Sequence, residues 1–270
     1  MTKFSEYAEK YNFIKMRRED GILEVTLHLD GGSLCWNLDA HTELPKAWYD
    51  IASDPENRVV ILTGTGDQFI GDLDRNDPRY QADYDPQSEL LALPSRYYRI
   101  FWEGKRLLQN LLEIDVPMIA AINGPVRIHA ELPLLCDIVL ASDDALFQDA
   151  GHFLRGAAPG DGAHVIWSWV LGPVRARYFL LTGQELFAQE ALRLGVVNEV
   201  LPADQLLDRA WELARTLAVQ SPMALRYSKT VLTQDLKQRL LGDLSHGLLA
   251  EVVSVFCRAL PETPLKPEEW

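Results

Sequence analysis

The chain has little of what would tie it to a metal, a membrane or a nucleic acid. Cysteine is scarce: Cys35, Cys136 and Cys257 are odd in number, far apart and form no CxxC pair. Neither a structural zinc site nor a disulfide framework is expected, and buried reduced thiols are the plain reading. Positive charge is short, with 26 basic residues against 39 acidic ones and a net charge of -13. That balance argues against nucleic acid and against an anionic membrane surface. It also suits a phosphate-rich ligand such as CoA poorly, unless a local basic patch overrides it. No run approaches the ~18 apolar residues of a membrane span. Residues 1–13 are polar and lack the apolar core of a secretory leader. The expectation is a soluble, cytoplasmic protein. Repeats, low-complexity tracts and Pro/Gly/Ser-rich linkers are also absent.

What is present is 270 residues, 47% of them hydrophobic, enough for one sizeable core. Strands are expected at 13–16 and 22–29, turned by Glu19-Asp20-Gly21, at 59–63, at 117–123 and at 137–141. Helices are expected at 38–53, with Leu44, Ala47, Trp48 and Ile51 on one face, at 96–114, and as short segments at 163–170, 175–182 and 188–194. From Pro202 onward the pattern is almost all helix: 204–218, then 223–260 with a break near Gly242. Strands alternating with helices indicate an α/β fold. The organisation expected is a core over residues 1–200 and a C-terminal helical region over 201–270, part of the same functional unit. Residues 70–95, rich in Asp, Pro and Tyr, have no clear period. A substrate-facing lid and a solvated insertion are both open readings of that stretch.

The order of several blocks resembles the crotonase (enoyl-CoA hydratase/isomerase) superfamily. These are Val59-Val-Ile-Leu-Thr-Gly64, Phe69, Pro117-Met-Ile-Ala-Ala-Ile-Asn-Gly124, Leu135-Cys136-Asp137, Pro159-Gly160 and Leu180-Leu-Thr-Gly183. The resemblance implies a spiral of ββα turns with a C-terminal helical trimerisation region, and a homotrimer or dimer of trimers. Departures from the pattern are as informative. Where the family carries Phe-x-Ala-Gly-x-Asp, this chain has Phe69-Ile-Gly-Asp72-Leu-Asp74. Where it carries a Gly-Gly-Gly run, this chain has Val126-Arg-Ile-His129-Ala130. Those glycines let two backbone N–H groups approach a thioester oxygen, so the CoA chemistry loses its central device. Of the family's two catalytic glutamate positions, one is Glu131 and the other is His152.

This altered set is similar to the β-diketone hydrolase branch of the superfamily, which includes 6-oxocamphor hydrolase. The matching positions are Trp36, His41, His129, His152, Asp161 and Glu251. The implied reaction is retro-Claisen hydrolysis of a cyclic or bicyclic 1,3-diketone to a keto acid, with no metal and no organic cofactor. His152, with an ordinary pKa of ~6.5, is the expected general base and Asp161 its orienter, a Ser-His-Asp arrangement without the serine. His129 and the Trp36 indole are the expected donors to the developing oxyanion. His41 and Glu251 are expected to shape the substrate pocket.

Plainer readings stand beside these. Trp36 alone would be a packing residue, Asp161 alone an N-cap for the helix from Ala163, and Glu131 a cap or a surface charge. His28, His164 and His246 would merely find a partner. A CoA-dependent hydratase or isomerase with altered loops, and a non-catalytic scaffold of the same fold, remain alternatives.

Overall fold

The computed structural model describes residues 2–74, 77 and 94–258, without the side chains of 94–97 and 258. Most of the stretch read as a lid or insertion therefore lies outside the described residues. A short helix, α1 (Phe4–Tyr7), precedes the hairpin of β1 (Ile14–Glu19) and β2 (Ile22–Leu27). Asp20 and Gly21 both hold positive φ (51° and 80°), as a tight primed turn between twisted strands requires. Helix α2 (Leu38–Ser53) starts at Asn37, whose side chain accepts from the N–H groups of Asp39 and Ala40 at 3.1 and 2.8 Å. Then come β3 (Val59–Gly64), α3 (Pro94–Leu112), β4 (Met118–Ile122), β5 (Ile138–Ser142) and β6 (Leu146–Phe147). The chain continues with α4 (Ala163–Leu171), α5 (Pro173–Thr182), β7 (Leu186–Phe187), α6 (Ala188–Arg193), β8 (Glu199–Leu201), α7 (Ala203–Ala218) and α8 (Pro222–Arg258).

Six strands form one sheet in the order β1-β2-β3-β4-β5-β8, antiparallel at β1-β2 and parallel beyond it. Strand β4 and residues 59–62 of β3 are apolar because both faces are covered, and the Thr63 hydroxyl donates to Ala121 O at 2.8 Å. One face packs into the main core with Leu44, Trp48, Leu108 and Leu111 of α2 and α3. The other carries Val59, Ile61, Ile119 and Leu140 against Leu206, Ala210 and Trp211 of α7. The parallel strands all point their carboxyl ends the same way, and the loops leaving β2 to β6 gather there. In an open α/β sheet that edge is where ligands bind.

Helix α8 runs unbroken through Gly242, where the sequence pattern suggests a break. No atom lies within 4 Å of a side chain added there. On this open face a lone glycine costs only ~1 kcal/mol of helix propensity. Leu225, Leu236, Leu240, Leu244 and Leu248 form the buried stripe of this helix, at the 3–4-residue spacing of one face. Averaged over an 18-residue window its mean hydropathy reaches 1.4, so by length and composition it could cross a membrane, contrary to the expectation that no such stretch exists. Its leucine stripe lies against the protein interior, while Leu241, Leu249, Val253 and Phe256 on its other faces are exposed.

Candidate active site

Three loops and one helix bring six ionisable side chains together. His129 and Glu131 lie on the turn after β4, Asp149 and His152 on the loop after β6, Asp161 at the entrance to α4, and Glu251 on α8. The backbone that carries them is well fixed. Val126 N–H donates to Leu146 O at 2.8 Å, Gln148 N–H to Val126 O at 3.0 Å and Ala150 N–H to Arg127 O at 3.0 Å. These ladder bonds tie the first two loops together. His129 holds φ 51°, the left-handed conformation that glycine adopts freely and other residues rarely do. It is one of three non-glycine residues with positive φ among the described residues.

His152 is gripped on both ring nitrogens. Nδ1 lies 2.7 Å from Asp149 Oδ1, while Nε2 lies 3.3 Å from Asp161 Oδ2 and 3.8 Å from Glu251 Oε1. Asp161 is shared: Oδ2 also lies 3.2 Å from His129 Nδ1, which is 2.7 Å from Glu131 Oε1. The other oxygen of Asp161 accepts the Ala163 N–H at 3.3 Å; the N-cap of α4 is Gly162 rather than Asp161, so Asp161 braces the helix entrance from one residue earlier and faces two imidazoles. The orienting role expected of Asp161 assumed contact behind the base. The structure puts Asp149 on Nδ1 and Asp161 on Nε2.

Burial and charge set the protonation pattern. Burial disfavours a cationic His152, but Asp161 and Asp149 together hold its pKa well above the usual imidazole value. Burial likewise opposes His129, which Glu131 and Asp161 nevertheless raise. Asp161, buried but faced by His152 and His129, is held below the usual carboxylate range. Burial pushes Glu131 up, with Asp161 adding to the effect. Glu251 rises to about 8, through burial first and Asp161 next, against the pull of His152. Near neutral pH Asp161 is therefore ionised and Glu251 keeps its proton, while both imidazoles hold their protons more tightly than a free imidazole does.

Trp36 and His41 complete the predicted set. The Trp36 ring, 1% exposed, lies 4.1 Å from the His129 ring between centroids and 6.0 Å from that of His41. His41, in the first turn of α2, takes no hydrogen bond at Nδ1; Glu103 of α3 stands 3.6 Å away, an ion-pair distance only. Burial lowers the pKa of His41, with Glu103 opposing and His129 assisting. Thus all six residues singled out from the sequence lie in one connected neighbourhood. Glu131, read as a possible cap or surface charge, is buried and paired.

Sequence reasoning missed Asp149, although an Asp-x-x-His spacing was there to be read, and Glu103, for which no local signal exists. His164 Nδ1 lies 2.9 Å from Pro159 O, and His28 Nδ1 accepts the Gly31 N–H at 3.3 Å; both braces are local. Two sets, His129-Glu131-Asp161 and His152-Asp161-Glu251, have ligand atoms within 4.8 Å of one another and so could hold a cation. Their contacts are also those of imidazolium–carboxylate pairs.

The strap after β3 explains what Asp72 does. Its carboxylate accepts from Leu73 N–H at 2.7 Å and from Arg155 at 2.7 Å. Gly71 N–H donates to Leu34 O and Asp74 N–H to Trp36 O, at 2.9 and 2.8 Å. Three backbone donors of this strap are thus already engaged and none of the three is open to a substrate oxygen. Arg155 also donates to Ala150 O at 2.7 Å, linking the strap to the His152 loop.

A family model described as enoyl-CoA hydratase/isomerase matches residues 17–248. A β-diketone hydrolase from the cyanobacterium Anabaena, solved bound to (S)-3-oxocyclohexyl acetic acid, is 43% identical with a TM-score of 0.87. That match covers 94% of this chain and 98% of the other. An enoyl-CoA hydratase/isomerase from Mycobacterium paratuberculosis is 26% identical with a TM-score of 0.81, over 92% and 96% of the two chains. The short-chain-enoyl-CoA hydratase of Clostridium acetobutylicum is 28% identical over 228 residues, 84% of this chain and 83% of that one.

Proposed function

The chain belongs to the enoyl-CoA hydratase/isomerase family, and from that premise we propose that it is a hydrolase cleaving a C–C bond in a cyclic or bicyclic 1,3-diketone. One observation carries the reading: an imidazole, His152, is held between two carboxylates, while three N–H groups of the strap after β3 are already engaged. Likeness to a β-diketone hydrolase at 43% identity, which holds a keto acid, supports it.

The chemistry runs as a retro-Claisen hydrolysis. The deprotonated fraction of His152, which grows as pH rises above the usual imidazole range, takes a proton at Nε2 from a water, whose oxygen adds to one ketone carbon. The resulting tetrahedral oxyanion collapses, the bond to the carbon between the ketones breaks, and its electron pair passes into the second carbonyl as an enolate. His152 returns its proton to the enolate carbon, and the products combine as a keto acid. His129 has Nδ1 engaged by Glu131 and Asp161, so Nε2–H is its remaining donor, and with the Trp36 indole N–H it stabilises the oxyanion. One such donor is worth about 3–4 kcal/mol.

The second reading, a CoA-thioester hydratase or isomerase, is favoured by the hydratases among the relatives. It needs backbone donors on a thioester oxygen. Incubation with a symmetric bicyclic 1,3-diketone and, separately, with crotonyl-CoA separates the two. Keto acid formation that is lost in His152→Ala is expected. Turnover of crotonyl-CoA with none of any diketone in a panel would reject the hydrolase.

A further inference from the structure

We propose that Asp149 is the positioning residue of His152: its carboxylate accepts the Nδ1–H, fixes the neutral ring in that tautomer, and turns Nε2 toward Asp161 and Glu251. This inference rests on the hydrolase reading for its catalytic consequence, though not for its geometry.

A general base must keep one nitrogen occupied and the other free. The 2.7 Å contact from His152 Nδ1 to Asp149 Oδ1 is the shortest that ring makes, and a carboxylate can only accept there. The proton of the neutral ring is therefore held on Nδ1, and the lone pair is left on Nε2, the nitrogen that faces Asp161 and Glu251. Asp161 cannot do this job. It sits on the reactive side and is shared with His129.

A structural purpose does not account for Asp149. Its backbone neighbours are fixed without its side chain, through Gln148 N–H to Val126 O and Ala150 N–H to Arg127 O, and through Arg155 to Ala150 O. Among the described residues its second oxygen, Oδ2, is buried with no hydrogen-bond partner. The one hydrogen bond that its carboxylate makes among the described residues is therefore the one to the His152 ring.

The test is Asp149→Asn, isosteric and uncharged, read in two ways. First, with ¹⁵N-histidine labelling, the His152 ring shifts, assigned by their loss in His152→Gln, report which nitrogen carries the proton across pH. The proposal expects the Nδ1–H form in the parent. In the variant it expects a loss of that preference and a titration midpoint at lower pH. Asp161, Glu251 and His129, the other ionisable groups facing the ring, are left intact. Second, with a diketone substrate, kcat falls by ~10²-fold or more, as when a triad aspartate is neutralised, while KM stays within about twofold. A purely structural residue would not split kcat from KM.

If the variant leaves tautomer and midpoint unchanged, the proposal is overturned. If no diketone is turned over by the parent protein, the hydrolase reading fails, and the NMR arm still decides the role of Asp149. Should Asp149→Asn not fold, Asp149→Ser carries the same readouts. Loss of the fold in both would assign Asp149 to structure and reject the proposal.

Discussion

His152 and His41 are both buried imidazoles with a carboxylate nearby, and they end up in opposite protonation states. His152 is pressed by Asp149 at 2.7 Å and Asp161 at 3.3 Å and is held cationic. His41 has one acid, Glu103, at 3.6 Å, which is itself bonded to Arg99 at 2.9 Å and Thr42 at 2.8 Å, and it stays neutral. Burial alone neutralises an imidazole; two close carboxylates reverse the outcome. The first turn of α2 adds its positive end to the His41 side. The difference suits His152 to the proton transfer proposed for it and leaves His41 as an uncharged neighbour of Trp36 and His129.

The sharpest way to break this contrast is kinetic. His152→Ala is expected to lower kcat on a 1,3-diketone by ~10²–10⁴-fold, the worth of a general base, and His41→Gln by less than about tenfold on the same scale. Equal losses in steady-state assays would erase the distinction.

Gly247→Ala comes next. A Cβ at Gly247 would sit 2.3 Å from Gly160 O and 2.3 Å from a His164 ring carbon. Calorimetry should show an overpacking loss of about 1–3 kcal/mol, with kcat falling as Glu251 is displaced.

Two stability profiles then test the opposite signs. Glu251 has its pKa raised to about 8 in the fold against 4.5 outside it. The unfolded chain ionises first, so stability drains as pH rises between those values. Glu251→Gln should flatten that alkaline decline of Tm. Glu103 is pulled down to about 2, against its burial, by His41, Arg99 and Thr42. Its contribution is full above 4.5 and lost as pH falls through about 2. Glu103→Gln should cost about 2 kcal/mol near neutrality, in line with a hydrogen-bonded charge, and nothing at the acid end.

The smallest effect is a displacement of the rate profile. Because a base must be deprotonated, the acid limb of kcat/KM should lie above the ordinary imidazole range in the parent protein, and His41→Gln should leave it in place. A limb at or below 6.5 would contradict the charge state assigned to His152.

Much of the fold was legible because its elements are written locally. Leu44, Ala47, Trp48 and Ile51 mark a helix face, and the apolar runs of β3 and β4 mark doubly covered strands. The two-residue strands β6 and β7 carry no period and were invisible, as was the continuity of α8, since a glycine breaks a helix only where packing does not hold it. The site was legible through motif order at His129, His152 and Asp161. Asp149 and Glu103 were not, because what singles them out is the partner each one meets, and that is set by loops and helices brought together in three dimensions.

The Gly160–Gly247 contact has a consequence for how the molecule matures. A side chain on Gly160 would meet the Gly247 carbonyl at 1.9 Å and Glu251 Cβ at 2.8 Å, while Ala158 N–H is anchored on Ser254 at 2.8 Å. Glu251 sits on α8, two helices beyond the last strand of the sheet. The sheet pairs without that helix, but the acidic cluster closes only when it seats, with the two bare backbones serving as its latch.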